Sequence, residues 1–132
     1  MDYKVYSDGA ARGNPGPAGA GFAVYDTNGT LVYSKAIPLG HTTNNVAEYT
    51  ALLEAAKYVK TLNPGKVDFL LDSELVVKQV AGLYKVKAPH LLPLYQELIT
   101  TLASMDATCS HVRRELNKVA DKLANDGADQ VK

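Results

Sequence analysis

Four carboxylates in this sequence stand where side-chain chemistry would want them. Asp8 closes the alternating stretch Asp2-Tyr3-Lys4-Val5-Tyr6-Ser7-Asp8, and glycines follow it at positions 9, 13 and 16. Glycine lets a backbone approach a ligand closely, although Asp-Gly is also an ordinary turn pair. Glu48 is followed three, four and seven residues later by Ala51, Leu52 and Ala55. It therefore heads the apolar stripe of a helix, near the positive end of the helix dipole; Asn45 and Glu48 also have capping-box spacing. Asp72 ends an apolar segment, either as the cap of the next helix or at the carboxyl edge of a strand, where open α/β sheets bind ligands. Asp121 falls in the opening turns of the last helix, beside Ala120, Leu123 and Ala124. If these acids converge, two like charges ~5 Å apart cost roughly 3 kcal/mol at an effective dielectric near 20. A fold gains nothing from such a cluster unless hard, oxygen-seeking cations, Mg²⁺ or Mn²⁺, relieve it. Two such ions about 4 Å apart can hold a phosphodiester, activate a water and stabilise the leaving oxygen.

The elements that must position these acids follow from the patterning. Residues 2–8 alternate and read as a strand, and residues 9–19 as a Gly/Pro loop. Residues 20–26 and 31–37 flank Asn28-Gly29 and predict a hairpin. Thr43-Asn44-Asn45 supply a helix N-cap, residues 46–62 follow at helical spacing, and Asn63-Pro64-Gly65 stops them. Residues 66–72 predict a buried central strand, apolar on both faces near its end. Helices are expected over 73–81 and 91–104, a weak strand over 107–113, and a last helix capped by Asn117 and running to about Asp126. The order βββ-α-β-α-α-β-α predicts a mixed α/β fold, a sheet flanked by helices, as one domain over 1–132.

Composition narrows the function classes. Apolar residues make up 46% and charged residues 21% of the 132, an ordinary globular balance. Fourteen basic side chains offset fourteen acidic ones, so bulk positive charge cannot hold nucleic acid and phosphate contacts must be local. The single cysteine, Cys109, excludes an intrachain disulfide framework and a cysteine-based zinc site. No signal-like start or membrane-length apolar run is present, so a cytoplasmic, stand-alone domain is expected.

Taken together, Tyr6-Ser7-Asp8-Gly9-Ala10, Gly13-Asn14-Pro15-Gly16, Thr42-Thr43-Asn44-Asn45-Val46-Ala47-Glu48-Tyr49, Leu71-Asp72-Ser73 and Asn117-Lys118-Val119-Ala120-Asp121-Lys122-Leu123-Ala124 resemble type 1 ribonuclease H almost end to end. The resemblance implies a ribonuclease H-like fold with a five-stranded mixed sheet, its first three strands antiparallel. It implies an endonuclease that cuts the RNA strand of RNA–DNA hybrids, leaving 5′-phosphate and 3′-hydroxyl ends. The family's metal-binding acids match Asp8, Glu48, Asp72 and Asp121, with two Mg²⁺ or Mn²⁺ ions per site. Its minor-groove readers match Gly9, Asn14, Asn44 and Asn45, and Ser73 flanks the metal site with Glu74. Short amides and backbone groups suit 2′-hydroxyl recognition.

Two departures stand out. Many bacterial members carry a mobile catalytic His in the loop before the last helix; here that loop is Arg113-Arg114-Glu115-Leu116-Asn117. His111 falls in the strand pattern and reads as structural, while Arg114, or Arg113, is the candidate catalytic cation. The long basic protrusion of some members is also absent, and Lys85 and Lys87 around Tyr84 are the candidate phosphate grip. No separate hybrid-binding module is expected before residue 2, so affinity and processivity should be modest. The expected partner is the hybrid itself, with a monomer and neither membrane nor obligate protein partner. Two alternatives are a catalytically silent hybrid-binding module and a related two-metal nuclease acting on another duplex.

Overall fold

The computed structural model describes residues 1–131. Its strands are β1 (Tyr3–Ala11), β2 (Gly16–Tyr25), β3 (Leu31–Thr42), β4 (Lys66–Leu71) and β5 (Asp106–His111); its helices are α1 (Asn44–Lys60), α2 (Glu74–Val80), α3 (Leu92–Ala103) and α4 (Lys118–Asp129). They build a mixed five-stranded sheet in the order β3-β2-β1-β4-β5. The β1–β2 and β2–β3 pairs are antiparallel, whereas β1–β4 and β4–β5 are parallel. The expected mixed α/β architecture is therefore present.

Alternation along β1 and β2 assigns two faces. Val5, Phe22, Val24, Val67, Phe69 and Leu71 join Tyr49, Leu52, Ala55, Ala56 and Val59 of α1 in one core. The opposite face of β2 carries Gly19 and Gly21, against which α4 lies. A Cβ on Gly21 would stand 2.5 Å from the Ala124 nitrogen and 2.7 Å from the Ala120 carbonyl. A methyl there must push the helix backbone away, since no flexible side chain can yield. Gly21→Ala should therefore cost about 1–3 kcal/mol as an overpacking change. It is checked by the urea midpoint, which should fall with the m-value unchanged.

Besides β3, expected over 31–37 but paired with β2 as far as Thr42, the sequence-based boundaries need correction in three places. Residues 9–19 are not one loop: β1 runs on to Ala11 and β2 begins at Gly16, leaving a four-residue connection at 12–15. Asp8 thus lies inside its strand, because Gly9, Ala10 and Ala11 continue the ladder opposite Ala20, Gly19 and Ala18. Glycine and alanine are poor strand formers alone, and pairing with an equally small β2 overrides that preference. Second, β4 lies inside the sheet between β1 and β5 but is not the central strand, and its faces differ: Val67, Phe69 and Leu71 are buried, Leu70 is half-buried, and Lys66 and Asp68 are exposed. Third, the last strand ends at His111 and the last helix continues to Asp129. Among the described residues, no helix is long and apolar enough to cross a membrane.

Candidate active site

Parallel register brings the first two acids together. Tyr6 of β1 pairs with Leu70 of β4. Two residues further on are Asp8 and Asp72, which the same register sets side by side. Because β4 stops at Leu71 while β1 continues, groups from both sheet faces can meet beside Asp8. Glu48 arrives from the α1 side. Thr43 caps α1, its hydroxyl accepting from the Val46 amide at 3.3 Å, so the anticipated Asn45–Glu48 capping box does not form. Gly9 allows the first turn of α1 to rest on the strand: a Cβ there would lie 2.3 Å from the Glu48 nitrogen and 2.4 Å from the Ala47 carbonyl carbon. One carboxylate oxygen from each of Asp8, Glu48 and Asp72 lies within 4.8 Å of the others.

Asp121 joins from the far face. Gly21 pairs with Asp8 in the antiparallel ladder, so both point toward α4. The absent side chain of Gly21 lets α4 descend until Asp121, in its first turn, reaches hydrogen-bonding range of the Asp8 carboxyl. Asn125 fixes Asp121 from one turn away, its amide donating to the Asp121 carbonyl at 3.0 Å.

The electrostatics follow from the geometry. Burial first, then the charge of Asp72, then the hydrogen bond with Asp121 and the charge of Glu48 push the Asp8 carboxyl up to about 8. Burial also raises Glu48; the Ser73 hydroxyl, the Asn44 side chain and the Arg114 charge pull it part of the way back, against the charge of Asp72. Asp72 Oδ2 is buried without a hydrogen-bond partner. A buried carboxylate oxygen with no donor, beside further carboxylates, is a costly arrangement in apolar surroundings. Oxygen-only donors of this charge fit a hard divalent cation and would suit soft-metal chemistry poorly.

The other expected site residues are distributed around this cluster. Asn14, at the tip of the β1–β2 hairpin, accepts the Asn44 backbone amide at 3.1 Å, which joins two of the residues assigned to groove reading. Asn45 is exposed next to them. Ser73 caps α2, its hydroxyl accepting from the Val76 amide at 3.3 Å; it, and not Asp72, is the helix cap, which leaves the Asp72 carboxylate free of that task. Arg114 opens a short 3₁₀ turn, Arg114–Leu116, and is exposed on the Glu48 side. Lys85 and Lys87 stand exposed on the segment between α2 and α3, outside the carboxylate cluster. His111 ends β5 and is exposed.

Asn117 is a correction. It holds the N-cap position of α4 but makes no capping bond with its side chain. Instead its buried side-chain amide donates to the carbonyl of Ser7 at 3.0 Å, and its backbone carbonyl accepts from the Asp121 amide at 3.0 Å. One residue thereby ties the strand position before Asp8 to the turn that carries Asp121. An Asn ahead of a helix gives the same sequence signal for either role, so only the packing distinguishes them. Gly19 and Gly21 were also missed; alternating glycines inside a strand are the available signal for close backbone approach.

Comparisons with known proteins address the family and the fold. Residues 6–127 match the family described as Reverse transcriptase-like. The RNase H1 of the halophilic archaeon Halobacterium salinarum superimposes with a TM-score of 0.94 at 34% identity, covering 99% of this chain and 100% of that one. The chain belongs to the type 1 ribonuclease H family. Its ribonuclease H fold is shared with LC11-RNase H1 in complex with an RNA/DNA hybrid, at a TM-score of 0.91 and 36% identity over 97% of each chain. The bifunctional protein Rv2228c of Mycobacterium tuberculosis is 40% identical over 98% of this chain. The chain spans 36% of that relative and 64% of the Ribonuclease HI of Halobacterium salinarum.

Proposed function

We propose that this ribonuclease H family member hydrolyses the RNA strand of RNA–DNA hybrids, leaving 5′-phosphate and 3′-hydroxyl ends. The observation that carries the reading is the half-buried nest of Asp8, Glu48 and Asp72 with Asp121 against Asp8. These four would hold divalent ions, Mg²⁺ or Mn²⁺. Bound there, the ions would supply an activated water and neutralise charge building on the phosphodiester. The residues of the chain do the rest. Asn14 and Asn44, held together at 3.1 Å, present polar groups to the minor groove, where 2′-hydroxyls distinguish RNA from DNA. Asn45 extends that surface, and Gly9 contributes backbone only. Ser73 and Asn44 steady the Glu48 carboxylate.

Arg114 offers a cation to the phosphate or the departing product. Arg114→Ala should lower kcat roughly tenfold, about 1.5 kcal/mol, with hybrid affinity nearly unchanged. Single-turnover and binding measurements in parallel check this; unchanged turnover removes Arg114 from the mechanism.

The test of the function is a cleavage panel of RNA–DNA hybrid, duplex DNA, duplex RNA and single strands, with Mg²⁺, with Mn²⁺ and with neither. Cutting confined to the RNA strand of the hybrid and dependent on a divalent ion supports the reading. Preferential cutting of duplex DNA would make it a different two-metal nuclease, and binding without cutting would make it a silent binding module.

A further inference from the structure

One buried polar side chain outside the carboxylate site is still unaccounted for. Gln79, 7% exposed, sits on α2 among Val76 and the apolar core. Its Oε1 accepts from the hydroxyl of Tyr49, the residue after Glu48 on α1. Its Nε2 donates to the carbonyl of Lys85 at 3.4 Å. Its backbone carbonyl accepts from Tyr95 of α3 at 3.2 Å and from Gly82 at 3.1 Å.

The segment that Gln79 holds has a defined course. Leu83 donates to the carbonyl of Lys78 at 2.9 Å and Gly82 to that of Gln79, with Gly82 at φ +80. This is a Schellman ending, which turns the chain sharply out of α2. Tyr84 then lies under the Lys78 ammonium, 5.1 Å from the ring centroid, while Lys78 is paired with Glu74 at 2.7 Å. Val86 packs onto the core, and Lys85 and Lys87 on either side of it face water.

We propose that Gln79 is a positioning residue that fixes Lys85 and Lys87 relative to the first turns of α1, where Asn44, Asn45 and Glu48 reside. The inference rests on the reading of the two lysines as a phosphate grip. One amide, bonded at one end to α1 and at the other to the lysine segment, sets the spacing between the groove-reading residues and the grip. A segment held in place before binding loses less conformational entropy when phosphate arrives.

The experiment is a double-mutant cycle read by steady-state kinetics on an RNA–DNA hybrid with Mg²⁺. Gln79→Leu keeps the volume and removes both side-chain hydrogen bonds. It should raise KM about five- to tenfold with kcat unchanged. In a Lys85→Ala/Lys87→Ala background the same change should leave KM where the lysine variant already put it. Tyr49→Phe, which removes only the bond to Oε1, should show the same pattern at smaller size and carries the test if Gln79→Leu does not fold. Equal KM increases in both backgrounds would make Gln79 merely structural and overturn the inference. A Lys85→Ala/Lys87→Ala protein with wild-type KM and wild-type salt dependence would instead overturn the grip reading beneath it.

Discussion

Asp72→Asn should leave the protein folded, reduce hybrid cleavage by about 10³-fold or more, and raise the melting temperature of the metal-free protein. Losing a ligand removes several kcal/mol of transition-state charge stabilisation, which corresponds to at least three powers of ten in rate. The stability change runs the other way. Asp72 is the leading charge acting on Asp8 and also acts on Glu48, both of which its neutralisation relieves. An amide of the same shape also gives the orphaned Oδ2 position a group that can donate. Activity assays and thermal melts in chelator measure the two halves separately. Normal cleavage by Asp72→Asn would remove the carboxylate nest from the mechanism; lost cleavage with a lowered metal-free melting temperature would mean the substitution damages the fold.

The second large effect is the joint dependence of stability on divalent ions and pH. A ligand that binds only the native state at 100 times its Kd adds about 2.7 kcal/mol. At this chain length that is a rise in Tm of roughly 10 °C. In chelator, Asp8 holds its proton in the native state up to about 8, whereas its ordinary value is 3.8. Between those values the native state binds more protons than the unfolded state, so stability falls as pH rises. The contribution is full below about pH 4 and gone once pH passes the native value. Glu48, also raised, acts in the same direction. Metal-free Tm should therefore drop between pH 5 and 8.5, saturating Mg²⁺ should flatten that drop, and Asp8→Asn should flatten it without metal. Thermal melts across pH with and without Mg²⁺ check this; a metal-free Tm that rises over the window would refute it.

Most of the secondary structure was legible because its signals are local. Thr43 before α1, Pro64-Gly65 after it, and Asn28-Gly29 between β2 and β3 are short-range chemistry that tertiary contacts did not override. The misplaced start of the β1–β2 hairpin has one cause. Residues Gly9 to Ala11 and Gly16 to Gly19 have low strand propensity, yet pairing makes them strands, since two runs of small residues fit between α1 and α4 where larger ones would not. Asn117 and Gln79 were illegible as positioning residues because a hydrogen bond to a distant carbonyl leaves no mark on local spacing.

The identities of the acids, their places at the ends of elements and the glycines near them are properties of the sequence alone. Their order along the chain carried the family resemblance without coordinates. That three of them share a space within 4.8 Å, and that Asp121 completes the group, is a decision of the tertiary structure. Parallel register of β1 with β4 aligns Asp8 with Asp72, and Gly9 and Gly21 thin the sheet so that a helix can close on each face. Charge repulsion between the acids opposes this arrangement, so packing elsewhere in the chain, which no local pattern encodes, holds them together.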